Sequence, residues 1–165
     1  ENEWKEIEKG VNSAIENLLQ FRLDEGSKLE EDITSRINQL SSLLKEIAPF
    51  AKDRIGKIKE SLSEKISVID SKNIDENRLE QELIYYLEKQ DITEEQVRLS
   101  THLNYFLETM KTDSPNGKKL GFISQEIGRE INTIGSKSSN AEMQKIVVQM
   151  KDELEKIKEQ LLNIL

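Results

Sequence analysis

Apolar residues recur every three or four positions along almost the whole chain, and that spacing constrains the fold more than any other feature. Trp4, Ile7, Val11, Ala14 or Ile15, and Leu18 form one such row, and Leu29, Ile33, Ile37, Leu40 and Leu44 resume it. A period near 3.6 marks an amphipathic helix, since strands alternate every two residues. Punctuation is sparse, with seven glycines and two prolines in 165 residues. A β protein of this length needs many more turn residues and β-branched runs. The chain is therefore expected to be all-α, with long antiparallel helices joined in a bundle and enough length to bury a core.

Six helices or thereabouts can be read from the pattern. The first runs through Gly26, which weakens a helix by about 1 kcal/mol relative to Ala, and is expected to stop at Pro49. A second runs from Phe50 through Ile55, Ile58, Leu62 and Ile66 and ends within the polar stretch Ser67–Asn73. Asp75 is placed to cap a third, containing Leu79, Leu83, Tyr86 and Leu87. Thr93 followed by Gln96 has the form of a capping box and opens a fourth helix, which continues past Tyr105 to Met110. The stretch from Asp113 to Gly117 is the clearest turn. A fifth helix carries Leu120, Ile123, Ile127 and Ile131 and is expected to end near Gly135, which suits a left-handed cap. Ser138, Ser139 and Asn140 form a loop and cap before the last helix, from Met143 to Ile164. We read 1–165 as a single helical domain in which the long first and last helices pair as an antiparallel stalk.

Several function classes are excluded or disfavoured. Without cysteine there is no disulfide framework and no thiolate metal site. No segment is apolar for long enough to span a membrane, and no basic-then-apolar leader opens the chain, so a cytoplasmic protein without a membrane partner is expected. The sequence opens at Glu1, without Met and already in a helical pattern, as a piece of a longer protein would. Its net charge of −8 repels nucleic acid. An RNA partner therefore requires positive charge gathered locally, or a divalent cation. The glycine-rich phosphate loop, the His-Glu-x-x-His pair and the Gly-x-Ser-x-Gly elbow are all missing.

Two polar clusters remain. In the first, Asp91 to His102, helical spacing places Glu95, Arg98 and His102 on one face, with Glu94 one turn before Arg98. A carboxylate, a guanidinium and the only imidazole can together bind phosphate, hold a metal or move a proton. An ordinary Glu94–Arg98 surface pair and a helix-dipole role for the glutamates account for the same letters. In the second, Gly117 to Lys137, Glu126 and Glu130 stand one turn apart, where like charges repel unless Arg129 or a metal neutralises them. Lys111 to Lys137 holds five basic and three acidic residues, making it locally positive. A solvated helix face is the plainer account. Gly121 and Gly128 inside this helix suggest close approach of another backbone or a ligand, or a kink.

These letters resemble a known family. Asp91-Ile-Thr-Glu-Glu with Arg98-Leu99 and His102, then Gly117-Lys-Lys-Leu with Phe122, Gln125-Glu126, Arg129-Glu130 and Asn132-Thr-Ile-Gly-Ser-Lys137, look like the C-terminal region of the YicC family of bacterial endoribonucleases. The closing stretch from Lys151 to Ile164 is similar to that family's end, and Arg22, Glu25-Gly26, Arg78 and Glu82 fit more loosely. The resemblance covers essentially the whole chain and is strongest over 91–165. It implies a metal-dependent endoribonuclease that forms a ring-like homo-oligomer, a hexamer, and carries a further N-terminal domain. It implies catalytic roles for His102, Glu126, Arg129 and Glu130, and RNA contacts by Arg98, Lys118, Lys119, Gln125, Asn132 and Lys137. Glu95, Glu126 and Glu130 would hold Mg²⁺ or Mn²⁺. The family usually has Asp at the position of Gly121 and Asn at that of Gly128, so any role of those side chains is missing here. The alternative, from a different class, is a non-catalytic helical oligomerisation module in which the polar clusters are caps and ion pairs between subunits.

Overall fold

The computed structural model describes residues 2–68, 76–112, 115–138 and 140–163, and all the regular structure among them is helical. The elements are α1 (Asn2–Val68), α2 (Glu76–Gln90), α3 (Thr93–Met110), α4 (Gly117–Lys137) and α5 (Ala141–Leu161). The all-α expectation holds. Among the described residues five helices stand where about six were expected, because α1 continues past Pro49 as well as through Gly26. Proline removes one ladder hydrogen bond and commonly ends a helix. Here Pro49 and Lys45, whose carbonyl loses its donor, are both exposed, so water can take the missing place. Asp75, the expected cap of α2, lies outside the described residues, as do Asp113 and Ser114 of the expected turn and Ser139.

The chain divides into two units, Glu1–Ser35 and Arg36–Leu165. In the first unit the apolar row is bare: Trp4, Ile7, Val11, Ile15 and Leu18 are all exposed. In the second unit α4 packs against both α3 and α5. The cross-contacts make each pair antiparallel. Lys137, at the end of α4, reaches Asp91 and Glu95 at the start of α3, while Asn116 before α4 donates to the Thr109 carbonyl near the end of α3. Likewise Gly128 lies against Leu154, and Gly135 against Val147 earlier in α5. The core is the inward stripe of each helix, including Ile37, Leu40, Leu43 and Ile47 of α1, Leu99, Leu103 and Phe106 of α3, and Ile127, Ile131 and Ile134 of α4. Arg36 donates to Glu153 at 3.1 Å, tying α1 to α5 within this unit. A hydrogen bond from Lys156, and more weakly the one from Arg36, hold the Glu153 carboxyl below its usual range against the opposing effect of burial.

The caps follow local chemistry with one substitution. Asn140 accepts from the backbone N–H groups of Glu142 and Met143, as its position before α5 suggests. At α3 Ile92 holds the cap position and the side-chain acceptor is Asp91 rather than Thr93: the Asp91 carboxylate accepts both the Thr93 N–H at 2.9 Å and the Thr93 hydroxyl at 2.6 Å. Those two bonds pull the Asp91 carboxyl below its ordinary value. Thr93 thus donates its hydroxyl to Asp91, two residues earlier, and the Gln96 N–H bonds to the Ile92 carbonyl instead.

The glycines of α4 play different parts. Gly135 lies inside the helix, which runs on to Lys137, and no glycine among the described residues has a positive φ, so the expected left-handed cap is not formed. A Cβ at Gly135 would stand 2.9 Å from the Val147 Cγ1, and one at Gly128 3.1 Å from a Leu154 methyl, whereas Gly121 faces open space. Gly128 is thus closely approached, but by a side chain and not by the backbone or ligand expected, and Gly121 is approached by nothing. Valine is stiff at χ1 and gives way poorly. Gly135→Ala is expected to lower stability by about 1–2 kcal/mol, overpacking outweighing the gain in helix propensity. Gly121→Ala is expected to raise it by about 0.5–1 kcal/mol. Urea midpoints of the two variants check the contrast, which disappears if α4 and α5 do not approach as described.

Candidate functional site

Two lysines of α4 cross to α3 and define a seam. Near one end the Lys119 ammonium sits over the Tyr105 ring, 4.7 Å from its centroid. At the other, Lys137 Nζ donates to the Asp91 carbonyl and to Glu95 Oε1, both at 2.7 Å. Helical spacing places what lies between. Lys119, Glu126, Glu130 and Lys137 are separated by seven, four and seven residues and so share one row of α4. On α3, His102 lies seven residues after Glu95 and three before Tyr105, on the flank that both lysines touch. The lysine crossings thus bracket His102 on one helix and Glu126 and Glu130 on the other.

These groups differ in setting. Glu130 is only 4% exposed, yet its carboxylate makes no hydrogen bond or ion pair among the described residues. His102 is half-buried and likewise makes none among them. Glu126 is exposed and paired loosely with Arg129 at 3.9 Å. Glu95 is buried. One of its oxygens meets Lys137, and the other, Oε2, is buried with no hydrogen-bond partner.

A second feature runs beside the seam. Lys118, Gln125, Arg129 and Asn132 occupy one exposed row of α4 at spacings of seven, four and three. Three cations, Lys118, Lys119 and Arg129, are exposed on this helix beside one exposed carboxylate, Glu126. Local positive charge in an acidic chain is the requirement that RNA imposes.

The candidate residues are thus gathered only in part. His102, Glu126 and Glu130 share the seam, and Lys118, Gln125, Arg129 and Asn132 share the outer row. Glu95, Arg98 and His102 do not form the expected common face: Glu95 turns inward to Lys137, while Arg98 turns outward and pairs with Glu94. Lys137 is drawn into a clamp between helices and away from the outer row. Among the described residues no three His, Asp or Glu side chains stand where they could share a metal ion. Glu95, Glu126 and Glu130 therefore form no such group among the described residues; Glu95 pairs instead with Lys137, seven residues along α4 from Glu130. Sequence reasoning passed over Tyr105 and Phe122 as site residues. Their signal was present: Phe122 falls in the polar row of α4, one turn after Lys118.

The same stretch of chain carries the likeness to known proteins. Residues 47–165 match the family described as "Endoribonuclease YicC-like, C-terminal". A "Probable endoribonuclease YicC" of Clostridioides difficile (strain 630) is 41% identical over 163 residues, which is 98% of this chain and 56% of that protein. One from Haemophilus influenzae (strain ATCC 51907 / DSM 11121 / KW20 / Rd), also named "Probable endoribonuclease YicC", is 30% identical over 168 residues, 99% of this chain and 58% of its own length. The chain spans a little over half the length of these curated relatives. With the α3–α4 seam and the α4 row both inside the matched region, the chain belongs to the YicC-like endoribonuclease family, as its C-terminal domain.

Proposed function

We propose that this chain is the helical part of an endoribonuclease that cleaves RNA phosphodiester bonds on the α3–α4 face, in the cytoplasm. The observation that carries the reading is His102, a half-buried imidazole without a protein partner among the described residues, set beside an exposed cationic row. Lys118 and Arg129 would hold backbone phosphate, and Arg129 is well suited because its guanidinium can meet two phosphate oxygens at once. Its bond to Glu126 is long and exposed, worth little, and readily exchanged for phosphate. His102 would transfer the proton at the reacting oxygen, and the cations would offset charge that develops on the phosphate. Magnesium or manganese is the cofactor the family resemblance implies. Among the described residues no three carboxylate or imidazole groups converge on one ion, and Glu126 and Glu130 are the side chains that would hold it.

A second reading rests on the first unit. A row of exposed apolar side chains along one helix is the surface that helix association covers. Under this reading the chain also assembles with copies of itself, a hexamer being the expected ring, and the exposed row from Trp4 to Leu18 is an assembly surface.

The test is incubation of the 165-residue chain with a labelled structured RNA, with Mn²⁺ and with EDTA, alongside sedimentation at two concentrations. Cleavage is expected with Mn²⁺, and Lys118→Ala/Arg129→Ala should slow it by about tenfold or more through lost phosphate contacts. A folded chain that associates but leaves RNA intact overturns the enzyme reading for this chain and leaves the assembly reading standing.

A further inference from the structure

Phe122 is out of place in α4. The other large apolar residues of that helix, Leu120, Ile123, Ile127, Ile131 and Ile134, are buried, while Phe122 is 67% exposed. One exposed apolar side chain is ordinary by itself. Its company is not. Phe122 stands in the exposed row between Lys118, four residues before it, and Gln125 and Arg129, three and seven residues after it. One turn earlier on its other flank, Lys119 is held by the Tyr105 ring, with Tyr105 itself partly exposed. A ring with an open face, bordered by cations and an amide, matches the chemistry of single-stranded nucleic acid: a planar base to stack, phosphates on either side, and base edges to hydrogen-bond.

We propose that the outer row of α4 binds unpaired RNA by stacking a base on Phe122, with Lys118 and Arg129 on the flanking phosphates. This rests on the reading of the chain as an RNA-acting domain and names which RNA it takes. A duplex cannot use Phe122, because its bases are stacked on one another and present no free face to the ring. Lys118 and Arg129 serve either form of RNA, since they meet only backbone. The row thus separates into a sequence-tolerant charge component and a stacking component that selects for loops, bulges and single strands. A protein partner is less well matched, because a hydrophobic docking patch would not be ringed by three exposed cations on a chain of net charge −8.

The experiment measures fluorescence anisotropy of a short labelled oligoribonucleotide, unpaired or annealed to its complement, with the integrity of the label checked on a gel so that binding is read apart from cleavage. Phe122→Ala is expected to weaken binding of the unpaired strand by about tenfold, the usual scale for one lost base–aromatic stack, and to leave duplex binding unchanged. Phe122→Trp is expected to bind the unpaired strand as well as the wild type. At 67% exposure neither change disturbs the core, so helicity serves as the folding control. The inference is overturned if Phe122→Ala binds the unpaired strand like the wild type, if paired and unpaired strands lose affinity together, or if the wild type binds neither. Cleavage by the wild type, scored separately, keeps the two readings apart: a chain that stacks unpaired RNA on Phe122 but never cuts it refutes only the nuclease assignment.

Discussion

His102→Gln should lower the rate of RNA cleavage by about a hundredfold or more, the scale of a lost proton-transfer group, while RNA affinity and helicity stay near those of the wild type. His102 is the chain's only imidazole. It lies on the seam flank of α3, bracketed by the Lys119–Tyr105 and Lys137–Glu95 crossings, and none of its hydrogen-bonding capacity is spent on protein among the described residues. A structural histidine at a helix interface would be satisfied by a fixed partner, and its replacement would appear in stability. Glutamine keeps a hydrogen-bonding side chain of related length and removes the titratable nitrogen. Single-turnover cleavage at saturating enzyme isolates the chemical step from binding. A variant that cleaves at the wild-type rate would remove His102 from the mechanism. One that cleaves slowly only because it unfolds would show the same loss in its helical signal.

What could be read from the sequence was whatever depends on near neighbours. The apolar spacing located α3, α4 and α5, and it predicted the buried rows at Ile33, Ile37 and Leu40 and at Ile127 and Ile131. Asn140 was legible because its hydrogen bonds run to residues two and three ahead. The failures share a cause. Pro49 was read as a stop because the rule is local, whereas continuation depends on whether water can reach the freed carbonyl. Thr93 was taken as the cap because it fits a four-residue pattern, but Asp91 reaches it first. Glu95 and Arg98 were assigned one face because three-residue spacing allows it. Glu95 turned toward Lys137, a residue 42 positions away, while Arg98 took its local partner Glu94. The same distant contact removed Lys137 from the outer row. Phe122 was hidden for the converse reason: an apolar letter in a helix is read as core, and only the phase of α4 against its two neighbours shows that it faces water.

Glu130 tests whether the seam is built for function or for stability, because there the two should move in opposite directions. A carboxylate in a residue only 4% exposed, with no hydrogen bond or ion pair to the described residues, keeps little of its hydration and gains no protein bond in return. Such a group costs stability, and an apolar residue of similar volume in its place removes that cost. Glu130→Leu is therefore expected to raise stability by about 1–2 kcal/mol, or roughly 3–6 °C in Tm for a domain of this size. It should also lower cleavage by about a hundredfold if the carboxylate takes part in proton handling with His102. Glu130→Gln, which removes the charge but keeps the shape, should lose activity to a similar extent with little change in Tm. Thermal unfolding and cleavage measured on the same preparations decide the matter. A fall in Tm for Glu130→Leu would mean that the carboxylate has a stabilising partner, such as ordered water, and that its place in the seam is structural. A rise in Tm with cleavage intact would leave the buried charge without a function in catalysis. Only the opposed result, a more stable protein that no longer cuts RNA, identifies Glu130 as a residue kept for chemistry at the expense of the fold.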